Sequence, residues 1–233
     1  MQYILDILGI ILLIPLSLFV IYGGKHLHKN ENVYYIVVGI LATILGILAI
    51  VAQIVDYDIQ SNSAVLYALF FQGHATLPFF ILVMFGGAFK KRSKAQITLM
   101  KVRRELAILG FLFLIPHAFY LVWLALTNLN PTGTIAFLIM LPLFITSFTE
   151  IRKKMHPKQW KSLHKWAYLA YAMIYLHLIS ITVIFNLMNN SGNDLIWGFI
   201  RAGIYTLIFG YYTFLKFKYY ILVDKPQPKQ AQK

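Results

Sequence analysis

Cysteine is absent from this sequence, and charge is scarce. Without a thiol the chain forms no disulfide, has no thiolate nucleophile and cannot ligate a cysteine-bound iron–sulfur cluster. Only 12% of its residues are charged, against about a quarter in an ordinary soluble domain. Acidic residues are scarcest, 8 Asp and Glu facing 21 Lys and Arg, for a net charge of +13. No glycine-rich phosphate fingerprint occurs, and no stretch leaves space for a Rossmann unit. A cleaved leader is not expected either. The first twenty residues carry Asp6 and no basic residue, and they read as a retained first helix.

Apolar residues fill the space that charge leaves. They make up 59% of the 233 residues, with a mean hydropathy of +0.68. A membrane-spanning helix needs roughly 20 apolar residues, so this length holds seven or eight spans and no soluble catalytic domain. Seven apolar segments are legible, at 3–23, 33–54, 63–87, 105–127, 132–150, 162–187 and 195–222.

The loops between them test this reading. Basic residues crowd 24–32, 88–104, 151–161 and the tail, whereas 55–62, 128–131 and 188–194 contain no Lys or Arg. That alternation follows the positive-inside rule and predicts an N-out, C-in orientation. The fold expected is therefore an all-α membrane protein, a bundle of about seven transmembrane helices. Residues 1–62 would supply two N-terminal helices, 63–222 a helical core, and 223–233 a disordered cytoplasmic tail. Its expected home is the cell membrane, multi-pass and in contact with lipid. The basic excess is orientation charge; no soluble basic face exists to bind nucleic acid.

Polar residues inside spans are costly and mark function by default. His74, His117 and His177 lie deepest; His164 starts the sixth segment, and Arg201 lies within the seventh. Asp6 and Glu150 are near segment ends and are expected to reach water, as are the loop histidines His26, His28 and His156. At about 1.5 Å per residue, the three deep histidines sit roughly 18–22 Å from the basic ends of their helices, at one level. A single histidine in a span is most often an interhelical hydrogen-bond partner. Two at matched depth on parallel helices, His117 and His177, can instead clamp one iron, because neutral imidazole is a good ligand that adds no charge to the bilayer. Pro15, Pro78, Pro116 and Pro142 fall inside spans, where they kink helices and ease an opening for a bulky ligand.

Two stretches carry a resemblance. In 103–122 the pair Arg103-Arg104 precedes a helix with one histidine, His117. In 141–179 Leu141-Pro142-Leu143 and Thr146-Ser147 close a helix; a basic loop ends in Trp160, Leu163 and His164, and His177 follows. These features resemble the ferric reductase-like transmembrane domain family, most nearly its MsrQ-type haem-binding membrane subunits, well over 101–180 and loosely over 63–222.

The resemblance implies a b-type haem and electron transfer across the membrane, with the chain as an electron-transfer subunit of an oxidoreductase. It implies His117 and His177 as axial ligands, with His164 as an inner ligand or a contact to FMN or quinone. The family's larger members use two haems. Here the position that would complete the inner pair is Arg103, so one haem is expected, and a second would need another ligand. An N-terminal helix beyond the usual six is a further departure. His164 and His177 are about 220° apart around a straight helix, so they need not face one partner.

His74, Arg103, Arg104, Trp160 and Lys161 are the candidate cofactor contacts. For the basic residues orientation charge is the plainer role, and for Trp160 the interfacial aromatic belt. The electron donor would be quinol or a cytoplasmic flavoprotein, and the acceptor an extracytoplasmic redox partner, in a bacterial plasma membrane. The competing class is a small-molecule transporter or channel without a redox cofactor, for which Arg201 and the prolines are the features in favour. A retinal protein would need a mid-membrane lysine, which the last segment lacks.

Overall fold

The computed structural model describes residues 2–127, 131–184 and 192–219. All regular structure among them is helical. After a short turn at Gln2–Asp6 come α1 (Leu8–Lys29) and α2 (Glu31–Ile54). Asn30 alone separates them, and its side chain donates to the His26 carbonyl at 3.0 Å, closing the end of α1. The expected loop at 24–32 is therefore helix up to Lys29.

The third apolar segment departs most from expectation. Residues 63–87 are not one helix. A short turn at Ala64–Leu66 runs into a π-helical turn at Tyr67–Phe71, the chain breaks over 72–76, and α3 (Leu77–Gly86) follows. Pro78 opens α3 in the first turn, where its missing N–H costs nothing. Within the break Gly73 takes a φ of +80°, which any side chain would strain. The basic loop expected at 88–104 holds α4 (Lys94–Lys101), whose cap Ser93 accepts from the Gln96 N–H. Then come α5 (Arg103–Thr127), α6 (Pro131–Ile145), α7 (Pro157–Val183) and α8 (Leu195–Tyr219). The proposed tail at 223–233 lies outside the described residues.

Four helices, α1, α2, α7 and α8, are long and apolar enough to cross a membrane, as in a multi-pass membrane protein. Their outward faces agree with that. On α2 the side chains of Ile36, Val37, Ile40, Ile44, Ile47, Val51 and Ile54 are all exposed. Apolar surface on this scale suits lipid, not water.

The core sits around α3. Every residue from Leu77 to Gly86 is buried except Phe79. On one side Leu77, Ile81, Met84 and Phe85 pack with Tyr171 of α7 and with Tyr205, Tyr212 and Leu215 of α8. On another, Leu82 and Val83 meet Val20 and Leu27 of α1 and Leu106 and Leu109 of α5. On a third, Phe80 joins Phe111, Met140 and Ala170. A helix apolar on all sides belongs in the middle of a bundle. Outside this centre α2 lies along α5, and α6 along α7.

Candidate functional site

The break before α3 frees backbone groups that lipid could not satisfy. Several of them find partners within the structure. The Gln72 N–H donates to Tyr67 O at 2.9 Å, the Ala75 N–H to Leu69 O at 2.8 Å, and the Thr76 N–H to Gly73 O at 3.2 Å. Thr76 donates its hydroxyl to the Gly110 carbonyl of α5. The carbonyl of Phe71 is met by a side chain: His117 of α5 donates from Nδ1 at 2.7 Å. That bond fixes both the ring and its tautomer, because a carbonyl accepts only from a protonated nitrogen. Nε2 of His117 is left with its lone pair.

His117 faces His177 of α7. Their ring centroids are 6.2 Å apart, with the planes at 76°. Two imidazoles sharing one metal through collinear bonds of about 2.0 Å have centroids about 6 Å apart, so the spacing fits a shared ion. A backbone carbonyl on the far nitrogen is also what orients a metal-binding histidine. His177 Nδ1 is buried and has no hydrogen-bond partner among the described residues.

Backbone presses on both rings. A Cβ on Gly73 would lie 3.2 Å from the His117 ring, and one on Gly133 of α6 only 2.6 Å from His177 Nδ1. The pair thus sits in a cradle that two glycines make possible. The donor chemistry, the ring spacing and the cradle together fit a bis-histidine iron.

Other polar groups gather nearby. His74, next to Gly73, has His117 and Arg201 as its electrostatic neighbours. Arg201 of α8 pairs with Asp6 at 3.4 Å, both side chains being largely buried. Asp6, expected to reach water, is only 14% exposed, because Arg201 of α8 holds its carboxylate. Glu150 does, at 85% exposure.

The remaining candidates lie elsewhere. His164 is 13 residues before His177, about 20 Å along α7. Its Nε2 is 3.1 Å from the Thr146 hydroxyl, and its ring stacks on Trp160 at 4.2 Å. Trp160 donates to the Thr146 carbonyl at 3.1 Å and is covered by the Arg152 guanidinium at 4.3 Å. Lys161 is exposed. Arg103 neighbours His164 and Tyr171. Arg104 donates to Thr149, Glu31 and Glu105. The structure therefore brings together His117, His177 and His74, and keeps His164, Arg103, Arg104, Trp160 and Lys161 apart from them.

Sequence reasoning missed a second cluster, in which His28 Nδ1 lies 2.7 Å from Oε1 of the buried Glu105. The signal was available: Glu105 is an acid beside two arginines at the head of an apolar run. His28 had been assigned to solvent.

Two apolar recesses of about 390 and 430 Å³ open on the surface, one between α1, α3 and α8 and one along α2. No histidine lines either. No family model matches the chain, and no curated protein and no solved structure matches it.

Proposed function

We propose that this chain is a membrane b-type cytochrome that carries electrons across the membrane to an extracytoplasmic acceptor or partner reductase. The observation that carries the proposal is the facing pair His117 and His177, at 6.2 Å, with His117 anchored through its far nitrogen. In this reading His117 and His177 would hold one haem b, which when bound would supply one-electron transfer. By donating its Nδ1 proton to Phe71 O, His117 keeps the Nε2 lone pair free to hold the group. The Gly73 and Gly133 backbones hold both rings in place.

The same reading gives the chain seven spans, N-out and C-in, in a bacterial plasma membrane. The broken segment 63–87 and the 15-residue α6 are counted among the seven. It keeps the likeness to the ferric reductase-like transmembrane domain family as its origin. Electrons enter from quinol or a cytoplasmic flavoprotein at the basic end, where His164 lies. A bound FMN or quinone there, or a second haem, would use His164.

The test is spectroscopic. Purified protein should show a Soret band and a reduced-minus-oxidised difference spectrum, with about one haem per chain by pyridine haemochrome. His117→Ala and His177→Ala should each lose the haem. Full haem content in both variants would end the proposal. His164→Ala should keep the haem and slow its reduction from the basic side. A purified chain that is colourless but moves a small solute across vesicles would favour a transporter.

A further inference from the structure

We propose that the chain binds a first-row divalent cation, of the zinc or manganese kind, between His28, Glu31 and Glu105. These residues come from three elements: the last turn of α1, the first residue of α2 and the first turn of α5. One donor atom from each lies within 4.8 Å of the others. Donors on a common metal at about 2.0–2.2 Å lie up to about 4 Å apart, so closing the group takes shifts of rotamer size.

Glu105 carries the argument. Its side chain is 1% exposed. Oε1 is doubly engaged, by His28 at 2.7 Å and by Arg104 at 3.0 Å. Oε2 is buried and no N–H or hydroxyl among the described residues reaches it. The Glu31 carboxyl lies within hydrogen-bond reach of Glu105, but two ionised carboxylates cannot satisfy one another, and a buried carboxylate oxygen left so is expensive. Arg104 does not relieve it. Its guanidinium is also drawn to Glu31 and, through the other terminal nitrogen, to the Thr149 hydroxyl.

Charge points the same way. Glu31 and Glu105 bring two negative charges against the positive charge of Arg104, and His28 balances the second only when it is protonated. The Tyr35 hydroxyl is buried beside Glu31 and Glu105, with the Arg104 guanidinium within hydrogen-bond reach.

One imidazole with two carboxylates selects the ion. Calcium and magnesium favour all-oxygen shells, and monovalent copper favours sulfur. A mixed nitrogen and carboxylate set suits zinc, manganese or ferrous iron. Entry is open, since the His28 side chain is 61% exposed. The bound ion would tie α1, α2 and α5 together at the basic end of the bundle, independently of the histidine pair.

The experiment uses the full chain in lipid nanodiscs, stripped with a chelator and titrated with Zn²⁺ by calorimetry at fixed pH. One equivalent should bind. His28→Ala and Glu105→Gln should each weaken binding about tenfold or more. His177→Ala should leave it unchanged, which separates this site from the proposed haem pair. Wild-type affinity in the His28→Ala protein, or no Zn²⁺ uptake by the stripped chain, would overturn the proposal; in the second case the two carboxylates share a proton.

Discussion

Gly73 and Gly133 are the residues on which the histidine pair depends without touching a ligand. Gly73 needs its positive φ, and a Cβ there would also crowd the His117 ring at 3.2 Å. Gly73→Ala should destabilise the protein by about 1–3 kcal/mol, seen as a lower midpoint in thermal unfolding in detergent. Gly133→Ala is different. Its backbone is ordinary helix, but the new methyl would overlap the His177 ring. If the pair holds a haem as proposed, Gly133→Ala should lower haem content in the pyridine haemochrome assay while the helical circular dichroism stays unchanged. Equal haem in Gly133→Ala and wild type would show that His177 has room to move. That the rings of His117 and His177 are neighbours accords with their matched depth on parallel helices, although depth alone put His74 at the same level. Neither glycine was legible, since nothing in a sequence tells which backbone a distant ring will press on. His28, expected in solvent, meets Glu105 for a related reason: the two are 77 positions apart and come together only through packing.

Among the elements, α3 concentrates the packing and α2 the lipid contact. Met84 is 2% exposed and Ile44 58%. Met84→Ala should cost about 2–5 kcal/mol by leaving a cavity, and Ile44→Ala should stay within about 0.5 kcal/mol, because lipid refills the missing volume. Denaturant titration of both variants in one detergent makes the comparison, and equal losses would contradict the placement of α3. The break in 63–87 left a local trace: Gln72, His74 and Thr76 make a short polar dip around Gly73, and Pro78 follows. Each of these residues also occurs in unbroken spans, and hydropathy does not distinguish a π-turn from an α-helix. Loop 24–32 was misread in the opposite sense: its lysines and histidines continue α1, since charged side chains at a helix end can reach water.

At the scale of the whole molecule, the alternation of basic and uncharged loops makes a prediction about sidedness. The absence of cysteine makes the test simple. Single cysteines at Lys91 and Lys158 should react with a membrane-impermeant maleimide from one side of the membrane, and one at Asp58 from the other. Labelling of all three from one side would remove the seven-span arrangement. The position of α3 has a consequence for assembly. At ten residues it is about 15 Å long, half the hydrocarbon thickness, and it is enclosed by α1 from earlier in the chain and by α5, α7 and α8 from later. The segment made third on the ribosome thus finds its final surroundings last. Until His117 has been synthesised, the carbonyl of Phe71 has no side chain to receive. A nascent chain released before that point would carry its central helix without the neighbours that shelter it, and quality-control proteases would meet the break first.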